Sequence, residues 1–430
     1  MKKIILSVLS VGVLSGAFAQ QANNELQSLI NRSFTYFPRF QELEQGVRVA
    51  EERAELAALQ TKPTIGANGA YNYVAPVPKI PFTINGETKD FQIAPNHNVN
   101  TGVSITEPLI DFGRTKLAIE RARLDVQQAK NNVAYNRSQL AAQVANIYYT
   151  VIYLQRAIAI QDSVIGVLEV NRKMLEDKYR NGDALKLDVM TMQNNIDIEQ
   201  NRKADLQNQL QKQYNLMQYA TGQVLDPSIN RFDFLAGAMD TASALQSAQA
   251  NNLEFKIAQQ RIKQAEADVA ISKLANKPTI NLNGSTGFKN GYPPNVGEVK
   301  FNYAAGVSIN VPIFTGGRDK KQTQIAESLV RQNQLAVESL NNQYNRDIKQ
   351  ALTDVQTNQE RLRTTAEQIQ IAKEALRVAQ SRYTNGISTN VELLNANTNL
   401  QRVELAQVQY QYQLTLAQVE LARLMGVTYW

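Results

Sequence analysis

The 430 residues hold 45 lysines and arginines against 39 acids, one histidine and no cysteine. With no thiol, the chain has no disulfide, thiolate metal site, cysteine nucleophile or lipid-modified N-terminal cysteine. The formal charge of +6, or +4 without the two N-terminal lysines, is spread among nearly as many acids; it reads as a solvated surface and is too mild to point to nucleic acid, so no nucleic-acid partner is expected.

Residues 1–19 open with Lys2 and Lys3, continue through the apolar run Ile4 to Leu14 and end in Ala17-Phe18-Ala19. That pattern is a secretory signal peptide with an A-x-A cleavage site, so the mature chain is expected to begin near Gln20. No later window approaches eighteen continuous apolar residues, and no helical membrane span is expected. Barrel strands alternate and escape such a scan.

The rest is a duplication. Lys62-Pro63-Thr64-Ile65 recurs 215 residues later as Lys277-Pro278-Thr279-Ile280. Gly102-Val103-Ser104-Ile105 recurs 204 residues later as Gly306-Val307-Ser308-Ile309, and Gly113-Arg114, Tyr179, Asn181-Gly182 and Gly222 recur at the same offset. Residues 20–226 form the first copy and 227–430 the second.

In chain order the first copy predicts a helix over about 22–61, strands over about 63–75 and 98–109, and helices over 114–180 and 184–221. The second predicts a helix over 241–276, strands over 278–290 and 300–312, and helices over 318–384 and 388–425. The first pair of strands is separated by an eleven-residue longer connection holding Pro76, Pro78, Pro81 and Pro95, expected as a loop. The lone histidine, His97, is placed on that loop.

Each strand alternates. Ile65, Ala67, Gly69, Tyr71 and Tyr73 oppose Thr64, Gly66, Asn68, Ala70 and Asn72, and the other three strands repeat the pattern of an apolar and an uncharged polar face. About ten residues is also the length a tilted strand needs to cross a bilayer. Two hairpins on a soluble core would give the same alternation. Four strands cannot close a barrel, and open edges are not tolerated in lipid, so insertion demands that several chains share one barrel. Tyr71, Tyr73, Phe288, Phe301 and Tyr303 would supply interfacial aromatics.

The two long helical segments lack proline, and Gly166 is the one interior glycine. Ile348, Val355, Leu362, Ile369, Leu376 and Tyr383 lie seven apart, matched by Val144, Val151, Ile158, Ile165 and Tyr179 with Arg172 interrupting. Sustained heptads mean coiled-coil packing. Asn181-Gly182 and Asn385-Gly386 turn each long helix into its return partner. An extended coiled-coil scaffold would explain the heptads alone, but not strand pairs at matching points of both copies.

These features, with Glu107-Pro108-Leu109-Ile110-Asp111-Phe112-Gly113 and Tyr383-Thr384-Asn385-Gly386 followed by Val391-Glu392-Leu393-Leu394-Asn395-Ala396, resemble the TolC-like outer-membrane efflux family over essentially the whole mature chain. The resemblance implies a membrane α+β fold: a homotrimer with a 12-stranded transmembrane β-barrel in outer-membrane lipid and a periplasmic α-helical barrel of long coiled-coil helices. It implies a passive duct that catalyses nothing, serving tripartite efflux or type I secretion with a periplasmic adaptor and an inner-membrane pump of RND, ABC or MFS type.

Carried over by position, the periplasmic aperture falls on Glu392, Asn395 and Asp188, the tip latch on Asp188 and Tyr383, and adaptor contact on Asn181, Gly182, Asn385, Gly386 and Ile387. Asn395 lacks the family's second aperture acid, and Ser388 stands where the latch has a basic residue. Independently of the family, Glu392, Asn395 and Asn399 share one helix face. No phosphate loop, zinc signature or nucleophile motif points to an enzyme. A secreted coiled-coil adhesin or filament is the structural alternative.

Overall fold

A computed structural model describes residues 24–84, 86–223, 231, 232, 234 and 240–430. The signal peptide and its cleavage site lie outside the described residues. The elements are α1 (Asn24–Tyr36), α2 (Pro38–Leu59), β1 (Thr64–Tyr73), β2 (Lys79–Ile84), β3 (Glu87–Gln92), β4 (His97–Ile110), α3 (Arg114–Arg180), α4 (Lys186–Thr221), α5 (Thr241–Asn251), α6 (Leu253–Lys273), β5 (Thr279–Lys289), β6 (Lys300–Asn310), α7 (Arg318–Thr384) and α8 (Asn390–Met425).

Two compact units result. A sheet unit takes Leu43–Asn132 and Lys256–Glu338; a helical unit takes the described part of Met1–Glu42 with Val133–Phe255 and Ser339–Trp430. Each unit draws on both copies, so the copies are not separate bodies.

The sheet unit is built on an antiparallel sheet in the order β1-β4-β5-β6. Its register pairs Ile65 with Ile105, Ile105 with Gly284 and Gly284 with Ala305. Because side chains alternate, that register gathers Ile65, Tyr71, Val103, Phe288, Tyr303 and Ile309 on one face. Asn68, Asn100, Ser104, Asn283, Asn302 and Ser308 take the other. Large apolar side chains on the first face stand in the open, Tyr303 at 81% and Ile309 at 64% exposure. Among the described residues nothing pairs with the outer edge of β1 or of β6. On the polar face Gly102 opposes Gly287: a Cβ on Gly102 would lie 2.7 Å from the Thr286 carbonyl oxygen, and one on Gly287 would collide with that of Thr101. These two strands approach as only glycine allows.

The connection between β1 and β4 is not a plain loop. It forms the two-stranded sheet β2-β3, with Ile80 opposite Phe91 and Phe82 opposite Lys89; alternation across Lys79–Ile84 outweighs the turn signal of its prolines. His97 is likewise the first residue of β4, opposite Tyr73, and its Nδ1 lies 2.7 Å from the Tyr71 hydroxyl.

Two expected helices are broken, at equivalent places. The first stops at Phe37, where Pro38 has no N–H and opens α2 instead. The second stops at Asn252, whose amide donates to the Arg423 and Leu424 carbonyls (3.1 and 3.0 Å) and accepts from the Glu254 N–H (2.8 Å). One side chain thereby satisfies the end of α8 and the start of α6.

In the helical unit the heptad positions of α7 are buried or half-buried, and so are the small or polar residues three further on, Ala351, Asn358, Thr365, Ala372 and Ala379. Large and small layers interdigitate as in a coiled coil. In α3, Val144 and Val151 are fully buried, but Tyr179 is 47% exposed where its counterpart Tyr383 is 6%, so the stripe ends before the turn. One eighteen-residue window of α3 is apolar enough by composition to cross a membrane, against the expectation of none. The buried residues of that helix, including Leu154, Gln161, Leu168 and Leu175, form part of the core of the helical unit.

Asp111 starts α3 by accepting from the N–H groups of Gly113 (2.9 Å) and Thr115 (2.6 Å). Partial burial works to raise its carboxyl, but the hydrogen bonds and nearby Arg114 outweigh it and hold the group below its ordinary value. The contribution is present above the usual carboxylate range and lost as pH falls through it.

Two outcomes follow in purified protein unfolded by denaturant. Asp111→Ala costs about 1 kcal/mol at neutral pH, and the difference from wild type shrinks in acid. Gly287→Ala costs on the order of 1–3 kcal/mol from overpacking.

Candidate functional site at the helical turns

Both long helices end in one construction. At the first turn the Asp183 N–H donates to the Lys178 carbonyl (2.8 Å) and the Gly182 N–H to that of Tyr179 (3.1 Å); at the second, Ile387 donates to Arg382 (2.8 Å) and Gly386 to Tyr383 (3.1 Å). Gly182 and Gly386 have φ of 87° and 72°, the left-handed turn that closes a helix. Asn181 and Asn385 precede them, and the Asn385 amide also donates to the Ser381 carbonyl (2.9 Å).

The return helices begin differently. Asp188, in the first turn of α4, accepts from the Leu185 N–H (3.0 Å), half of a capping box. Thr389 accepts from the Glu392 N–H (3.4 Å), which leaves the Glu392 carboxylate in the exposed first turn of α8, near the positive end of the helix dipole. Asn395 is exposed one turn on. Asn399 is half-buried, accepts from Arg402 (2.6 Å), and lines a cavity of about 600 Å³ between α7 and α8 with Arg361, Gln368 and Tyr410.

Asp188 thus engages its own helix start. Tyr383 is buried, with the Lys178 ammonium 4.2 Å from its ring centroid. That cation–π contact joins the end of α3 to the end of α7. Sequence reading missed Lys178 because no spacing rule links residues 205 positions apart. The Ser388 hydroxyl is buried without a partner among the described residues.

Deeper in the bundle a buried polar cluster ties three helices. Gln161 of α3 donates to the backbone carbonyl (3.0 Å) and carboxylate of Glu199 on α4; Gln401 of α8 donates to the Gln161 side-chain oxygen (3.3 Å) and to Glu199 (3.1 Å). Arg202 completes Glu199 from the solvent side at 2.5 Å. A buried carboxylate so provided for fixes the register of α3, α4 and α8.

Around the turns, apolar side chains stand in solvent: Leu185, Leu187 and Met190 on the first, Ile387 and Val391 on the second, all at 60% exposure or more. Leu187 and Val391 are 204 residues apart, so an apolar residue at the same early helix position of both copies was the signal available in the sequence. Among the described residues no group of acids and histidine could hold a metal ion. The site offers charge, apolar surface and two tight glycine turns.

The outer membrane efflux protein family profile matches residues 29–223 and 244–427. The outer membrane protein TolC of Vibrio cholerae is 22% identical over 361 residues, covering 80% of this chain and 82% of that one. The toluene efflux pump outer membrane protein TtgC of Pseudomonas putida is 22% identical over 422 residues, covering 92% and 84%. Among solved structures, the outer membrane protein VceC of Vibrio cholerae superposes with a TM-score of 0.77 at 20% identity, covering 95% of this chain and 98% of its own. A membrane protein from Pseudomonas aeruginosa gives 0.79 at 18%, covering 94% and 91%. The chain therefore belongs to the outer membrane efflux protein family and is an outer-membrane channel component of an efflux system.

Proposed function

We propose that three copies of this chain complete one twelve-stranded barrel in the outer membrane, continued by a periplasmic tube of coiled-coil helices, as a passive duct for small molecules or proteins. The observation that carries the reading is the four-stranded sheet with one largely apolar and one largely uncharged polar face and, among the described residues, two unpaired edges. In lipid those edges must be paired, and four strands are too few to close on themselves. Three subunits supply twelve, with the apolar face toward lipid and the asparagine- and serine-rich face lining water.

In this reading Glu392, with Asn395 and Asp188, narrows the periplasmic end. Three Glu392 carboxylates form a ring that favours cations. The Lys178–Tyr383 contact takes the part of a tip latch between the hairpins, and Asp188 stays with the start of α4. The adaptor sits on Asn181, Gly182, Asn385, Gly386 and Ile387, with the exposed Leu187 and Val391 giving it an apolar foothold. An inner-membrane pump of RND, ABC or MFS type completes the route. The chain itself binds no cofactor and carries out no chemical step.

Single-channel recording in planar bilayers tests this. Purified protein conducts with cation preference, and Glu392→Ala lowers the cation-to-anion permeability ratio by roughly two-fold or more. A protein that neither fractionates with outer membrane nor conducts is a scaffold and not a duct; conduction with unchanged selectivity removes Glu392 from the aperture.

A further inference from the structure

The strands β1, β4, β5 and β6 carry few charges, and their register sorts them. On the asparagine- and serine-rich face stand two basic side chains, Lys289 at the end of β5 and Lys300 at the start of β6, whereas Glu107 and His97 fall on the other face. The two lysines are register partners, and Asn100 of β4 lies opposite Lys289. They occupy the end of the sheet remote from its helix connections, because β5 follows α6 at Thr279 and β6 leads to α7 from Asn310. Copy one has Val74 and Asn96 at the equivalent positions, where the Val74 N–H donates to the Asn96 carbonyl (2.8 Å). The backbone there closes without lysine, so the paired charge is not a requirement of the fold.

Like charges directly opposite each other on one face destabilise a strand pair. Lys300 lies 3.4 Å from the Glu298 carboxylate, but the two side chains are 41% and 57% exposed, and a pair so open to water contributes little. Lys289 is exposed and, among the described residues, has no acid partner. The backbone that carries it is held firmly. Asn290 is buried, and its side chain accepts from the Val99 N–H (2.9 Å) and donates to the His97 carbonyl; the Gly291 N–H then donates to the Val296 carbonyl (2.8 Å). The β2-β3 ribbon supplies no compensating charge, since Lys79 and Lys89 balance Glu87 and Asp90. This end of the sheet therefore keeps a fixed excess of positive charge.

We infer that Lys289 and Lys300 bind anions carrying two or more carboxylate or phosphate groups at the outer mouth of the channel. The inference rests on the shared-barrel reading, in which the polar face lines water and three chains bring their lysine pairs to one ring. Directly opposed residues have Cβ atoms roughly 5 Å apart, so two ammonium groups reach one anion together. The bound anion removes the repulsion that the pair otherwise retains and accepts charge-assisted hydrogen bonds from both. The rest of that face is uncharged along all four strands, and nothing on it competes for the ligand. The ring is opposite in sign to that of Glu392, so an exported anion gains its attraction at the exit.

Lipid phosphate in the outer leaflet offers the same chemistry from the opposite side of the wall. The lysines, however, stand on the face turned away from Phe288, Phe301 and Tyr303. A role toward lipid would place them on the aromatic side.

Recording in phosphatidylcholine bilayers, with protein added to one chamber, tests this. The polar helical unit stays on the side of addition, so the barrel mouth opens to the opposite chamber. Inorganic tripolyphosphate added there lowers the wild-type current, and less so as salt rises. Lys289→Gln with Lys300→Gln raises the half-blocking concentration about ten-fold or more and moves the reversal potential toward greater cation preference. Lys62→Gln with Lys277→Gln, which removes two charges preceding β1 and β5 at the other end of the sheet, does neither. Block that survives the first pair of substitutions, or that falls equally with the second, overturns the inference. With lipopolysaccharide as the leaflet on the mouth side the block persists; its loss there means that the lysines hold lipid phosphate, which also overturns the solute site. Conduction without any block leaves the duct standing and removes the anion site alone, whereas absence of conduction removes both.

Discussion

The sheet unit answers to one constraint: a backbone N–H or C=O exposed to hydrocarbon has no partner unless protein supplies one. The sheet of β1, β4, β5 and β6 meets that demand on its three internal ladders and leaves it open along two edges. Its side chains agree with a membrane setting, since Tyr303 and Ile309 stand in the open on one face while asparagine and serine cover the other. In water such a face would be a liability. In a shared barrel it is the lipid contact.

The same economy governs the close approach of β4 and β5. Gly102 and Gly287 face each other on the polar side with no room for a methyl group between the strands. Backbone crowding on the inner face of a sheet accompanies curvature toward that face, and the curvature required of a barrel wall is of that sense. In the helical unit the demand is different. Water is available, and what must be specified is the stagger of helices about 100 Å long at 1.5 Å per residue. Large heptad residues alternating with small or polar ones set the spacing, and the Gln161–Glu199–Gln401 cluster sets the stagger, because a slip would strand a buried carboxylate.

What the sequence made legible was what depends on local period. Alternation in Thr64–Tyr73 and Lys300–Asn310, heptads along Ile348–Tyr383, and glycine at the two turns each reflect geometry within a few residues. What it concealed depends on partners far away. Asn252 interrupts a helix because its amide serves carbonyls of α8, some 170 residues on. Lys178 meets Tyr383 across the bundle, 205 residues further along the chain. The hairpin β2-β3 was hidden by four prolines that suggested only a loop; Pro81 itself is accommodated inside β2 of that two-stranded ribbon.

The most direct measurement is the mass of the protein extracted from outer membrane in mild detergent, corrected for bound detergent. Three mature chains per particle is the value required by a sheet whose edges are completed by identical neighbours. A folded, membrane-embedded single chain would contradict it, since its β1 and β6 edges would then lie unpaired in lipid.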